Sequence, residues 1–249
     1  MKILVFLIVI ASISTSFSCV DSSAKKPAAT NVDEGFAVVE LFTSEGCSSC
    51  PPADAVVANL LKEHNSNVYV LGYHVDYWDN LGWKDIFSSA VYTQTQREYA
   101  KNFKLSSVYT PQVIVNGTEQ FVGSDAGKLN AVVNKDLQQT SIVKLNVDAK
   151  SADGKTVTVN YLTDASNGKL KIVLIQLMAE NKIHSGENSG ATLHHVNIVR
   201  DIKTVTAFEN GNAVLKIPDG LSAKDCHVIA FNQNTNDSKI TAAAEVDIQ

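Results

Sequence analysis

Two cysteines separated by two serines, Cys47-Ser48-Ser49-Cys50, are the residues of this chain best suited to do chemistry. With that gap the pair can close a disulfide on itself, and the second sulfur can reach back to resolve a mixed disulfide formed on the first. An apolar run, Phe36-Ala37-Val38-Val39-Glu40-Leu41-Phe42, ends just ahead of the pair, and Pro51-Pro52-Ala53-Asp54 opens a helical pattern just after it. A strand feeding the pair into a helix start sets the sulfurs beside unpaired N–H groups and a partial positive charge, and both favour the thiolate. Cys47 is therefore expected to be the attacking thiol, exposed at the helix start, with Cys50 as resolver. Glu45 stands close by and limits how far the Cys47 thiol can be acidified.

The other candidates are weaker. No second Cys-x-x-Cys is present, so a four-cysteine zinc site is poorly supported, and no metal or cofactor is expected. Handling of a soft metal such as copper, through both sulfurs and a histidine, is an alternative, as is an inert pair on a binding scaffold. His194-His195 looks like a ligand pair, but neighbours on a strand face opposite sides, which favours a structural role. The stretch Gly186 to Gly190 lacks the lysine and following helix of a phosphate loop. Asp54 stands one helical turn past Cys50 and suits the helix start. Cys226 lies in a strand-like segment and reads as a buried structural thiol, and Trp83 reads as core.

The elements that must position the pair follow from periodicity. Phe36 to Phe42 and Asn67 to Tyr73 read as buried strands. Ala53 to Glu63 and Asp85 to Phe103 read as helices, the second with Ile86, Ala90, Tyr99 and Phe103 toward the core. Gln112 to Val115, the turn Asn116-Gly117 and Glu119 to Val122 form a hairpin, and Ser124 caps a last helix through Gln139. A residue before proline avoids helical torsions, so the first helix should start near Pro51 or Pro52 with an irregular first turn. After Thr140 the period becomes two, and short strands broken by Gly, Asn and Asp turns read as a β-sandwich.

The chain has 249 residues, 45% of them hydrophobic, with a net charge of −5 and no long basic run, which argues against nucleic acid as a partner. Met1-Lys2 followed by Ile3 to Ala11 reads as an export signal, too short for a comfortable membrane span. Cys19 follows at once, as the lipidated first residue of a bacterial lipoprotein would, with ordinary cleavage after the small residues Ser16 and Ser18 as the alternative, and the polar stretch to Glu34 suits a flexible tether.

The order strand, Cys-x-x-Cys, helix, strand, inserted helix, Thr110-Pro111, strand, hairpin, helix resembles the thioredoxin fold. The resemblance implies that Thr110-Pro111 is a cis-proline loop facing the pair, with Thr110 offering its backbone to a substrate peptide. It also implies that Glu40, a buried carboxylate, could take the proton of the resolving thiol, although Glu40 stands one residue further from the pair than expected. An acid hydrogen-bonded to local backbone is the plainer reading of Glu40. Thioredoxins carry Trp before the first cysteine and Gly-Pro between the two; here Gly46, Ser48 and Ser49 take those places, so the redox potential does not carry over.

More closely, Val39 to Asp54 is similar to a bacterial exported thioredoxin-like family of unknown function, secreted Cys-Ser-Ser-Cys-Pro-Pro proteins with a C-terminal β domain. Tyr73 to Asp79 with Leu81-Gly82-Trp83, and Gly186-Glu187-Asn188 with Thr192 to Arg200, support the match. The expected organisation is a signal peptide over 1–18, a tether over 19–34, an α/β thioredoxin-like domain over 35–140 and an all-β sandwich-like domain over 141–249. The expected function is exported thiol–disulfide exchange, reductive rather than oxidising, in the periplasm or cell envelope. The expected partners are an exported protein or small thiol or disulfide, a membrane electron donor, and the membrane itself through a lipid on Cys19.

Overall fold

A computed structural model describes residues 28–29, 34–64, 66–207 and 210–249. The expected signal peptide and Cys19 lie outside these residues, as does most of the expected tether. In chain order the first elements are β1 (Ala28–Ala29), β2 (Ala37–Thr43), α1 (Pro51–Glu63), β3 (Val68–His74), α2 (Ala90–Asn102), β4 (Gln112–Val115), β5 (Glu119–Val122) and α3 (Ala126–Leu137). The rest are β6 (Leu145–Lys150), β7 (Thr156–Thr163), β8 (Lys169–Lys182), β9 (Thr192–Thr206), β10 (Asn210–Lys216), β11 (Cys226–Gln233) and β12 (Ile240–Asp247).

Every residue of β2, β3 and β4 is buried, as expected of strands covered on both faces. Strand β2 pairs parallel with β3 and antiparallel with β4, and β4 continues into the β5 hairpin. Asn116 and Gly117 turn that hairpin with φ of 45° and 71°, the left-handed pair that a two-residue loop requires. The Asn116 side chain also receives the Val38 N–H and donates to the Phe36 carbonyl, tying the turn to β2.

Alternation sorts the side chains of β2. Ala37, Val39 and Leu41 pack under α1 and α3 with Val57, Leu60 and Leu129. Val38 and Phe42 face the other way, toward Tyr92 and Tyr99 of α2. The fold is thus a mixed α/β thioredoxin-like sheet with helices on both faces, joined by a separate small antiparallel sheet.

The large sheet does not stop at β3. Strand β9 joins β3 in parallel at Gly72 and Ile198, and the full order is β12-β11-β8-β9-β3-β2-β4-β5. The small sheet, β1-β6-β7-β10, packs Leu145, Val147, Val157 and Val159 against Leu170, Ile172, Val228 and Ala244 on one face of the extension. The sandwich expected after Thr140 is present, and one of its layers is the outer half of the sheet that carries the cysteine motif. On that layer's other face Val173, Ile175, Ile229 and Phe231 join the core beneath α2.

Local details differ from expectation in the helices α2 and α3. Helix α2 begins at Ala90, capped by the Ser89 hydroxyl, and Ile86 is 64% exposed rather than in the core. Helix α3 is capped by Asp125, whose carboxylate accepts the Lys128 N–H, and not by Ser124. Strands β8 and β9 run longer than their apolar segments because their ends form a projecting hairpin, with Met178 and His194 largely exposed.

Candidate functional site

Helix α1 starts at Pro51, as the proline rule requires, yet Cys50 itself takes helical torsions, φ −81° and ψ −39°. Its carbonyl accepts the N–H groups of Ala53 and Asp54, so Cys50 is already bound into the first turn. Cys47 and Cys50 form a disulfide at this start. The Ser49 hydroxyl lies 3.3 Å from Cys47 Sγ and 3.5 Å from the Thr110 carbonyl oxygen. The Thr110–Pro111 bond is cis, and Trp78 Nε1 donates to Thr110 Oγ1 at 2.8 Å. Cys47, Cys50, Thr110 and Pro111 are therefore brought together.

Two sequence expectations need correction. Both cysteines are fully buried, at 0% exposure, whereas Ser48 and Ser49 are exposed. Cys47 is not exposed as expected, and a distant segment folds back onto the backbone of the motif. The loop between β8 and β9 brings Glu187 to the Ser48 N–H, which it accepts at 3.1 Å. Asn188 donates to the carbonyls of Glu45 and Cys47, at 2.8 and 3.0 Å. Ser185 donates to the Gly82 carbonyl, closing the loop against the aromatic segment. Gly186 has a φ of 76°, which strains any side chain, and a Cβ there would lie a tight 3.0 Å from that of Trp83.

The second correction concerns Glu40. It points to the α2 face of the sheet, opposite α1, where the Tyr99 hydroxyl donates to its Oε2. Complete burial raises its pKa, partly opposed by Lys171 and the Tyr99 and Tyr73 hydroxyls. Glu40 Oε1 and the Tyr73 hydroxyl make no hydrogen bond of good geometry, and burial first, then the Glu40 charge, raises the Tyr73 pKa. Glu40 thus lies on the face of the sheet opposite α1, held by Tyr99 and not turned toward the helix that the cysteine pair opens.

A different set of ionisable groups lies next to the motif. Glu45 is fully buried, and its carboxylate accepts Trp83 Nε1 at 2.8 Å and the Asn181 amide at 3.0 and 3.1 Å. His195 lies between Glu45 and Asp54, with its Nε2 3.3 Å from Glu45 and its Nδ1 3.8 Å from Asp54. Burial pulls the His195 pKa down, but the two carboxylates outweigh it and raise it to about 9, so the ring is cationic at neutral pH. Its neighbour His194 is exposed, as strand alternation demands. His74 packs edge-on against His195, with centroids 4.8 Å apart, and pairs with Asp85 at 2.6 Å. Burial pushes the Asp85 carboxyl up, yet His74 and two backbone N–H groups, from Glu45 and Phe87, hold it below its usual range.

A family model matches residues 38–233. The chain belongs to the family described as protein of unknown function DUF1223. Among solved structures, protein AGR_C_4864 of Agrobacterium tumefaciens is similar at 30% identity and TM-score 0.62, over 84% of this chain and 93% of that one. HBP35 of Porphyromonas gingivalis is similar in fold at 18% identity and TM-score 0.58, over 87% of this chain and 76% of that one. No curated protein matches the chain.

The three segments that carried the family resemblance in the sequence meet here. The first supplies Glu45, Cys47, Cys50 and Asp54, the second His74, Trp78 and Trp83, and the third Glu187, Asn188 and His195. Sequence reasoning missed Asp85 and Asn181, and it assigned Trp83 to the core, although Trp83 holds Glu45. Among the described residues no group of His, Cys, Asp or Glu has the geometry to hold a metal ion. Both sulfurs are engaged in the disulfide, so copper handling has no free thiol ligand in this state. Cys226 is a buried free cysteine, as expected, with burial pushing its thiol up to about 11.

Proposed function

We propose that the protein is an exported thiol–disulfide oxidoreductase in which Cys47 attacks and Cys50 resolves. The observation that carries this reading is the Cys47–Cys50 disulfide at the start of α1, with the cis Thr110–Pro111 loop beside it. In the reduced protein, the Cys47 thiolate attacks a substrate disulfide, forms a mixed disulfide and expels one substrate thiolate, which takes a proton from water. The Cys50 thiolate then attacks Cys47 Sγ, breaks the mixed disulfide and expels the second substrate thiolate, which is protonated in turn. The dithiol is thereby oxidised and the substrate disulfide reduced to two thiols. An external dithiol donor must restore the pair before the next turnover. The Ser49 hydroxyl is placed to donate to a Cys47 thiolate.

The complete burial of both sulfurs favours a second reading, in which the disulfide is inert and the fold is a binding platform. A redox titration against glutathione separates the two. A couple that equilibrates and cycles supports exchange, and one that stays oxidised in the folded protein supports the platform. Location completes the proposal: with lipid on Cys19, the chemistry would face an oxidising compartment and draw on a membrane electron donor. Fractionating cells that express Cys19→Ala checks this, because the wild type should sediment with membranes and the variant should not.

A further inference from the structure

The exchange reading leaves open what controls the covered pair. Building on that reading, we infer that Glu187 is a positioning residue: bound to the Ser48 N–H, its carboxylate opposes ionisation of Cys47 and latches the β8–β9 loop over the oxidised site, and a Cys47 thiolate releases it.

The geometry supplies two effects of one sign. Glu187 accepts a backbone N–H from the residue next to Cys47 and so takes up a donor of the reactive turn. It also brings a carboxylate to a site where a second anion would form, and neighbouring like charges disfavour joint ionisation. Hydrogen bonding to Ser48 lowers the Glu187 pKa, so the carboxylate is charged throughout the neutral range.

The remaining charges do not cancel it. Glu45 from the turn and Asp54 from α1 share the cationic His195 of β9. His74 of β3 is paired with Asp85 of the following loop. His184, on the same loop as Glu187, is turned toward the Trp83 ring. In the disulfide state Cys47 carries no charge and Glu187 docks without opposition. Linkage then requires reciprocity: whatever Glu187 costs the thiolate, the thiolate costs the docked loop. Asn188 fastens the same loop through neutral hydrogen bonds to the Glu45 and Cys47 carbonyls, so the latch has a charged and an uncharged half that can be tested apart.

The test uses the full chain carrying Cys50→Ser. Cys47 is alkylated with iodoacetamide from about pH 5 to about pH 10 and read by peptide mass mapping, which sets it apart from Cys19 and Cys226. Adding Glu187→Gln should lower the midpoint of the rate profile by about half a unit or more, and raise the rate near pH 6 about threefold. Adding Asn188→Ala should raise the rate at every pH without moving the midpoint. If Glu187→Gln leaves the midpoint unmoved or raises it, the carboxylate is only a cover and the inference is overturned. This readout needs no turnover, so it stands apart from the exchange reading, which falls only if the wild-type couple fails to equilibrate with glutathione.

Discussion

The side-chain amide of Asn188 donates to the carbonyl of Cys47 at 3.0 Å, a contact between residues 141 positions apart in the chain. It joins the hairpin of the β-rich half to the reactive turn of the α/β half. Access to the disulfide is therefore a property of both halves.

The roles of the two sulfurs can be separated by trapping. Cys50→Ser should accumulate mixed disulfides with substrate through Cys47, because no resolver remains. Cys47→Ser should accumulate none, since Cys50 is bound into the first turn of α1, its carbonyl accepting the Ala53 and Asp54 N–H groups, whereas Cys47 precedes that turn. Non-reducing gels of protein recovered from the expressing cell read this directly, and equal trapping by both variants would refute the assignment.

His195 should make stability depend on pH in the alkaline range. Its folded pKa, about 9, exceeds the ordinary value of 6.5. The stabilisation is therefore fully present below about pH 6.5 and is lost as pH rises toward 9, on the order of 3 kcal/mol in all. Urea unfolding of the oxidised protein at points across that window should show the decline. His195→Gln leaves Glu45 and Asp54 without their cation, and should cost about 3–5 kcal/mol near neutrality while flattening the profile.

Glu40→Gln separates the two faces of the sheet. Burial raises the Glu40 pKa, so ionisation opposes folding, and stability falls as pH rises from the unfolded value near 4.5 toward the higher folded one. Glutamine should remove that slope. Exchange rates should stay within about twofold of wild type, because the side chain lies across the sheet from the cysteines. A large loss of exchange would show that Glu40 communicates with them after all.

Gly186→Ala should loosen the cover. A side chain there would sit 3.0 Å from the Trp83 Cβ at a φ of 76°, so the loop must shift. The expected cost is about 1–2 kcal/mol of stability. Dithiothreitol should reduce the disulfide faster in the variant than in wild type. Unchanged kinetics would mean that the loop does not limit access.

Much of this architecture was legible in residue order. The strand–turn–helix around Cys47 and Cys50, the Asn116-Gly117 hairpin and the alternating strands after Thr140 are local patterns, and local patterns specify local structure. Thr110-Pro111 became readable through the family resemblance. The seating of β9 against β3 was not readable, because it rests on a parallel pairing at Gly72 and Ile198 between segments far apart in the chain. That pairing delivers His195 to Glu45 and carries Glu187 to Ser48, so the cover and the charge cluster were hidden together. Glu40 misled because its burial was evident from its strand, while the face it points to depended on register relative to α1.

The seating of β9 also bears on how the chain could have been assembled or cut. In a protein ending near Thr140, β3 would present an unpaired row of N–H and C=O groups along one side, with Val70 and Leu71 in the exposed strand. Such an edge recruits other strands, so the shortened chain should self-associate rather than persist as a small soluble redox unit. In the full chain β9 of the β-rich half lies along that edge, so the α/β half depends on its C-terminal neighbour to close its own sheet.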